Sequence, residues 1–523
     1  MLLHERPSSN RRPLPGATGA RGALGATGTV SGTRAAGTGA ASSVADAGRQ
    51  AAGREVAGPA SAAAPSAGPA TGAAAPAAAD VRMHGIFDSV DQAIAAATAA
   101  SRELARFPLS RREAIIARMR ERILANLEFL SRLARDETGM GRVEDKINKN
   151  RLVAEQTPGV EALTTAAVTG DRGITLDEFA PYGVIGAVIP STNPTETVIN
   201  NGIGMFAAGN AVVFNPHPNA TICSLTVISM LNEVIVEGGG PENCFTAVAR
   251  PTIESATTVM QHPEIPLLVV TGSEGVVNAA MKSGKKVVAA GPGNPPAVVD
   301  ETADIPRAAR DIIAGGSLDN NIVCIAEKVT VAVDAIAGEL VKEMKRAGAH
   351  IATPAQIAQL QQAVFAEEPK LHQDVAVNRA YVGKDAAVIL EGIGVQAEGD
   401  PRLIVCEVDA DHPFAWAEML MPIMPVVRMP DVDAAIDYAV RVERGCRHTA
   451  SMHSRNIDKL TEMGRRIGCS VYVKNGPTFA GLGMGGEGHT SFTIASPTGD
   501  GLTTAATFSR RRRCALTGNY GIV

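Results

Sequence analysis

The segment Ser317-Leu318-Asp319-Asn320-Asn321-Ile322-Val323-Cys324-Ile325-Ala326-Glu327-Lys328 sets one cysteine between a polar Asp-Asn-Asn turn and an apolar run. A thiol there can act as a nucleophile if it ionises and if nearby N–H groups can hold an oxyanion. A cysteine chosen at random is more often a small buried hydrophobe. The polar turn, and the nucleotide-binding pattern that precedes it, favour the nucleophile for Cys324. Upstream, Val270-Thr271-Gly272-Ser273-Glu274-Gly275 reads as a strand end, a glycine turn and a helix start. Backbone N–H groups at such a helix N-terminus suit a pyrophosphate. The turn falls short of the full G-x-G-x-x-G fingerprint, and many purely structural turns share it. Downstream, Glu418 stands before Met419-Leu420-Met421-Pro422 and alone would read as a surface charge.

Other reactive side chains point less clearly. His448 and His453 are five residues apart without a carboxylate partner, so they read as structural and no metal site is expected. Arg510 to Arg513 form either a solvated run or a contact to ligand phosphates or a neighbouring subunit. The glycine-rich stretch from Phe479 to Gly488 reads as a candidate mobile loop over a substrate entrance.

Elements that could position these groups follow from apolar spacing. Buried strands are expected at 184–189, 211–214, 244–248, 267–270, 287–290 and 297–299. Helices are expected between most of them, at 195–208, 220–237, 253–261 and 274–283. Such alternation predicts a parallel sheet covered on both faces, a Rossmann-like domain ending near Asp300. A second α/β stretch follows, with helices at 305–314, 336–347, 354–365 and 432–442 and strands at 328–333, 402–406 and 423–428. Ahead of these, Ser89 with Gln92 and Ser110 with Glu113 match capping boxes. The first opens a helix through Val90, Ala93, Ile94 and Ala97. The second opens a longer one carrying Ile115, Ile116, Met119, Ile123, Leu127 and Leu130.

Composition bounds the rest. The 523 residues suffice for two or three domains, and 45% hydrophobic with 20% charged residues fits a globular chain. A net charge of −5 and 3% aromatics argue against nucleic acid as a partner. No run reaches about 18 apolar residues, so no membrane span is expected. The seven cysteines form no CxxC pair, which suits a reducing cytoplasm. Residues 1–80, rich in Ala, Gly, Pro, Ser and Thr, read as a disordered extension. Either it is a plain tail or it is a targeting or docking arm.

From residue 85 to 515 the chain resembles the aldehyde dehydrogenase superfamily, and most of all its CoA-acylating branch in propanediol and ethanolamine microcompartments. The resemblance rests on Ala180-Pro181-Tyr182-Gly183-Val184-Ile185-Gly186, Pro190-Ser191-Thr192-Asn193-Pro194 and Ala289-Ala290-Gly291-Pro292-Gly293-Asn294. It rests also on Arg447-His448-Thr449-Ala450-Ser451-Met452-His453-Ser454, Ser496-Pro497-Thr498-Gly499-Asp500-Gly501 and the stretch from Phe508 to Cys514. It implies the aldehyde dehydrogenase fold: an NAD-binding domain at 85–300, interrupted by an oligomerisation strand near 163–182, a catalytic domain at 301–480 and an oligomerisation arm at 485–515.

The resemblance also implies site roles. Cys324 is the nucleophile, and Thr192 or Asn193 joins its backbone N–H as oxyanion donor. Ser191, Asn215, Gly272, Ser273 and Glu418 line the cofactor, with Glu418 on the nicotinamide ribose. It implies NAD as cofactor, coenzyme A as co-substrate, a small aldehyde as substrate and a homodimer or homotetramer. Two departures from hydrolytic members matter. Asn215 replaces a lysine, and no cation in Asn215-Pro216-His217-Pro218 would meet a 2′-phosphate, which favours NAD over NADP. Ala290 replaces the carboxylate that activates water, and alanine cannot accept a proton. The expected product is therefore acyl-CoA. The rivals are a hydrolytic aldehyde dehydrogenase, a glutamyl-phosphate reductase and a non-catalytic cargo or scaffold protein. The expected place is the cytoplasm, or a microcompartment lumen reached through the extension.

Overall fold

The computed structural model describes residues 83–518 apart from 374. The extension expected at 1–80 lies outside the described residues. Six runs of mainly apolar residues form a first, wholly parallel sheet. Its order is Ile86–Phe87, Phe245–Val248, Ala211–Asn215, Val184–Val188, Leu267–Thr271 and Lys286–Ala290. Every residue of the two middle strands is buried, as a sheet covered on both faces requires. The chain moves outward on one side of Val184–Val188 and then returns to its other side. The carboxyl ends of Val184–Val188 and Leu267–Thr271 thus flank a topological switch point, where such sheets bind ligands.

A second parallel sheet has seven strands, in the order His350–Ile351, Ile404–Val408, Ile423–Met429, Val329–Val333, Pro296–Val299, Thr449–His453 and Val471–Lys474. The strand expected to close the first sheet is therefore misplaced. Pro296–Val299 lies between Val329–Val333 and Thr449–His453, so the passage between sheets falls in residues 291–295, not near Asp300. Its apolar sequence fits either sheet, and only the pairing partners decide.

Two helix expectations also need correction. Ser89 does cap the helix Val90–Leu104, accepting from the Gln92 N–H. Ser110, by contrast, lies inside the helix Leu109–Leu124, which starts one residue after the extended Pro108. That helix stops before Leu127, which opens a new one, Leu127–Thr138. At the break, Asn126 Nδ2 donates to the Arg122 carbonyl at 2.8 Å, covering an end that would otherwise lack a partner. The helical stretch Pro218–Glu237 is long and apolar enough to span a bilayer by composition, yet most of it is buried, largely in the first core.

The chain end divides in two. Phe492, Ile494, Ala495, Ala505 and Phe508 pack into the first core. Ser509–Thr517 then pairs antiparallel with Gly173–Pro181, which also pairs with Ala166–Gly170. The four consecutive arginines sit on this last strand. Arg513 forms a bidentate pair with Asp177 at 2.7 and 2.8 Å, and Arg512 lies 3.5 Å from Glu178. Arg511 covers the Phe179 ring, and Arg510 donates to the Pro181 carbonyl at 3.1 Å.

Candidate active site

Cys324 sits between the sheets, in a turn that follows the helix Ile305–Gly316. Three consecutive non-glycine residues before it, Asp319, Asn320 and Asn321, adopt left-handed backbone with φ of 48°, 55° and 66°. Asp and Asn tolerate this region better than other side chains, but three in a row are costly unless neighbours hold them. Each side chain does so. Asp319 accepts from the Arg142 N–H at 2.7 Å and from Lys146 Nζ at 2.9 Å. Asn320 Nδ2 donates to the Gly383 carbonyl at 3.0 Å, and Asn321 Nδ2 donates to the Gly316 and Glu327 carbonyls at 2.6 and 2.9 Å.

Beneath this turn lies a buried quartet of charges. Lys149 Nζ is 2.6 Å from Asp319 Oδ2 and 2.9 Å from Glu196 Oε1, and Lys146 shares Asp319. All four side chains are fully buried. Burial would lower the Lys149 pKa, but Asp319 and Glu196 outweigh it and hold the group at about 12. Burial likewise raises Asp319, and the two lysines outweigh it, leaving the carboxyl below its ordinary range.

The same Lys149 ammonium donates to Asn193 Oδ1 at 2.6 Å. An ammonium fixes the oxygen of the amide toward itself. Asn193 Nδ2 then faces the other way and donates to Thr192 Oγ1 at 3.3 Å. Asn193 is the N-cap of Pro194–Ala207, whose 14 residues are all buried. Thus one ammonium joins the Ser191-Thr192-Asn193 turn to the turn before Cys324. Ser191 and Thr192 remain partly exposed.

The residues expected to line the cofactor divide between the two sheets. Gly272 follows the strand Leu267–Thr271, and its N–H donates to the Ala290 carbonyl at 3.1 Å. A Cβ there would meet only Val276, at 3.6 Å, so its face is open to a ligand. Ser273 is the exposed N-cap of Glu274–Met281. Asn215 ends its strand buried, with Oδ1 accepting from Ser255 Oγ at 2.6 Å. Glu418 Oε1 accepts from the Gly293 N–H at 3.2 Å, and the left-handed Leu420 (φ 55°) follows two residues later. A Cβ on Gly293 would lie 2.9 Å from the His448 ring and 3.0 Å from the Cys324 carbonyl. That close approach gathers Glu418, His448 and Cys324 around the 291–295 passage. Ala290, one residue before it, is buried and apolar.

Burial and the Glu418 charge push the Cys324 thiol up to about 12, opposed by Lys328 and by the N–H groups of Cys324 and Ile325. Lys328 is buried, and desolvation brings it down to about 8. His448, read from sequence as structural, is held at about 4 by burial and Lys328. Glu327, also buried and raised to about 7 by burial, accepts from Thr478 N–H and Oγ1, both at 2.8 Å. It thereby anchors the start of the glycine-rich stretch, of which residues 485–488 are exposed. Lys146, Lys149, Glu327 and Lys328 carried no functional signal in the sequence. The three-residue spacing of Lys146 and Lys149 was the available hint that both face one side of a helix.

Residues 73–502 match the model of the aldehyde dehydrogenase family, and the chain belongs to that family. Its similarity to individual members is extensive. It is 49% identical over 447 residues to the acetaldehyde dehydrogenase (acetylating) EutE of Salmonella typhimurium, covering 85% of this chain and 95% of that one. The solved Rhodopseudomonas palustris propionaldehyde dehydrogenase with bound CoA and an acylated cysteine is 46% identical. It superposes with a TM-score of 0.81 over 84% of this chain and 99% of the other. A propionaldehyde dehydrogenase from the Clostridium phytofermentans fucose utilisation bacterial microcompartment is 47% identical, with a TM-score of 0.81 over 83% and 98%.

Proposed function

We propose that this chain is a CoA-acylating aldehyde dehydrogenase that converts a short aldehyde to its acyl-CoA with NAD and coenzyme A. One observation carries the acyl-transfer reading: the buried methyl of Ala290 stands beside the passage that packs on Cys324, where hydrolysis would need a base. Relatives described as acetylating, or seen with CoA and an acylated cysteine, support it.

We assign the side chains the following roles. Cys324 adds to the aldehyde carbon through Sγ, forming a thiohemiacetal. Its oxyanion is held by the Cys324 N–H and by Asn193 Nδ2, whose direction Lys149 fixes. Gly272 and Ser273 receive the cofactor pyrophosphate at the switch point, and Glu418 orients the nicotinamide ribose. NAD held by these residues would supply the hydride acceptor, and loss of the hydride would leave Cys324 carrying a thioester. With no side-chain base at Ala290, that thioester persists until the thiolate of CoA attacks and Cys324 leaves. Asn215, already engaged by Ser255, offers no positive charge to a 2′-phosphate, which supports NAD over NADP.

The test is a product assay. Aldehyde oxidation should be slow without CoA, rise strongly with it and yield acyl-CoA, and Cys324→Ala should abolish it at unchanged melting temperature. Free acid formed equally fast without CoA would refute acyl transfer. The dehydrogenase acts as a homodimer or homotetramer built on the strand Ser509–Thr517 and its partners. We infer the cytoplasm or a microcompartment lumen as its place, with residues 1–80 either a plain tail or a docking arm. A reporter fused to that segment that stayed diffuse among shells would remove the docking role.

A further inference from the structure

Lys328 lies four residues after Cys324 and is almost completely buried. Its three ammonium hydrogens meet three oxygen atoms of the cysteine loop. These are the Asn321 carbonyl at 2.6 Å, Asn321 Oδ1 at 2.6 Å and the Val323 carbonyl at 3.3 Å. The third contact bears on the chemistry. Val323 C=O and Cys324 N–H belong to one peptide plane, and in a trans peptide they point in opposite directions. No cis bond occurs among the described residues. A cation fixed on that carbonyl therefore holds the Cys324 N–H on the opposite side and polarises it as a donor. Asn321, whose left-handed backbone presents both oxygens to Nζ, is in turn clamped by Gly316 and Glu327.

We propose that Lys328 is the positioning residue of the thiol: it aims the Cys324 N–H at the reacting atoms and supplies a fixed positive charge that stabilises the thiolate and the oxyanion. This rests on Cys324 being the nucleophile. The charged and titratable groups that bear on the pair are Glu418, from the turn after Ala417, Glu327 on the same loop and His448, just before the strand Thr449–His453. Glu418 opposes the thiolate, and Lys328 is the cation that counters it. Burial brings Lys328 itself down to about 8, so its charge is complete only below that pH.

The experiment is the pH dependence of Cys324 alkylation by iodoacetamide in the full-length enzyme, with the modified cysteine located by peptide mass spectrometry. Three variants are compared: Lys328→Met, Lys328→Gln, which keeps a donor without charge, and Lys328→Arg, which keeps charge. At pH 7, where Lys328 is mainly protonated and Cys324 mainly thiol, the alkylation rate of the uncharged variants should fall about tenfold. Their kcat should fall at least about tenfold, with the KM for NAD little changed. Lys328→Arg should alkylate at or above the wild-type rate, and above pH 8 it should exceed it, because its charge persists there. An unchanged rate at pH 7 in either folded uncharged variant overturns the proposal. Should both fail to fold, a Lys328→Arg rate about tenfold below wild type at pH 7 overturns it as well. Inactivation that tracks a cysteine other than Cys324 would instead overturn the nucleophile assignment.

Discussion

Replacing Lys149 by methionine should unlock the centre of the molecule, and the structure sets the size of the effect. The quartet of Lys146, Lys149, Asp319 and Glu196 is neutral as it stands. Methionine fills the space of the lysine stem but leaves one uncompensated negative charge in a fully buried site. Asp319 keeps Lys146 and the Arg142 N–H. Glu196 keeps only the Thr195 hydroxyl at 3.1 Å. Removing one partner of a buried pair costs about 3–5 kcal/mol, a large share of a typical stability of about 5–15 kcal/mol. Urea unfolding at pH 7.5, followed through the single Trp416, measures it. The second variant, Lys149→Met with Glu196→Gln, removes the stranded charge and should recover about half of the loss. It should not recover kcat, because Asn193 Oδ1 still lacks its donor. A single variant destabilised by less than about 1 kcal/mol, or a double variant no more stable than the single one, would refute the reasoning.

Two further perturbations follow from the same centre. Glu327 holds a folded pKa of about 7, above the unfolded carboxylate value near 4.3. Between those values the native state retains a proton that the unfolded state releases, so stability should fall as pH rises through this window and level off above it. The cost is about 4 kcal/mol. Glu327→Gln should abolish the slope, so that its stability relative to the wild type is higher at pH 8 than at pH 5, and equal urea-midpoint slopes in the two proteins would contradict this. Gly293→Ala would place a methyl 2.9 Å from the His448 ring and 3.0 Å from the Cys324 carbonyl. The passage must then shift at about 1–3 kcal/mol, drawing the Gly293 N–H off Glu418. A rise in the KM for NAD with a kcat at least about tenfold lower is expected, and wild-type kinetics in that variant would refute the packing argument.

The parts of this molecule that a sequence exposes are those fixed by local pattern. Cys324 follows a turn whose residue types are unusual for their surroundings, and Gly272 and Ser273 stand at a strand-to-helix turn whose place was legible though many structural turns share its pattern. The helices Ile253–Gln261 and Val432–Val442 fell on their expected bounds because spacing and caps agree there. Lys146 and Lys149 were not recognisable as buried, since lysines within Asp145-Lys146-Ile147-Asn148-Lys149-Asn150 look like a solvated helix face. Only the distant Asp319 and Glu196 make their burial affordable. Pro296–Val299 was assigned to the wrong sheet because a buried parallel strand carries no local mark of its neighbours. Ser110 matched a capping pattern, but the extended Pro108 is the N-cap, two residues earlier than that pattern places it.

Pairing of Gly173–Pro181 with Ser509–Thr517 bears on how the chain is made. The hairpin with Ala166–Gly170 can form as soon as it leaves the ribosome. Its other edge must wait for a strand roughly 330 residues later, about 20–70 s at ordinary rates of synthesis. During that interval a row of backbone donors and acceptors stands open, beside the same edges on neighbouring nascent chains. Asp177 and Glu178, the anions that later meet Arg513 and Arg512, lie on this waiting strand. Until the arginines arrive, like charge keeps copies of the edge apart; once they arrive, the same carboxylates help set the register. A negative strand synthesised early and a positive one synthesised last give the nascent chain both protection from its neighbours and a selective partner for closure.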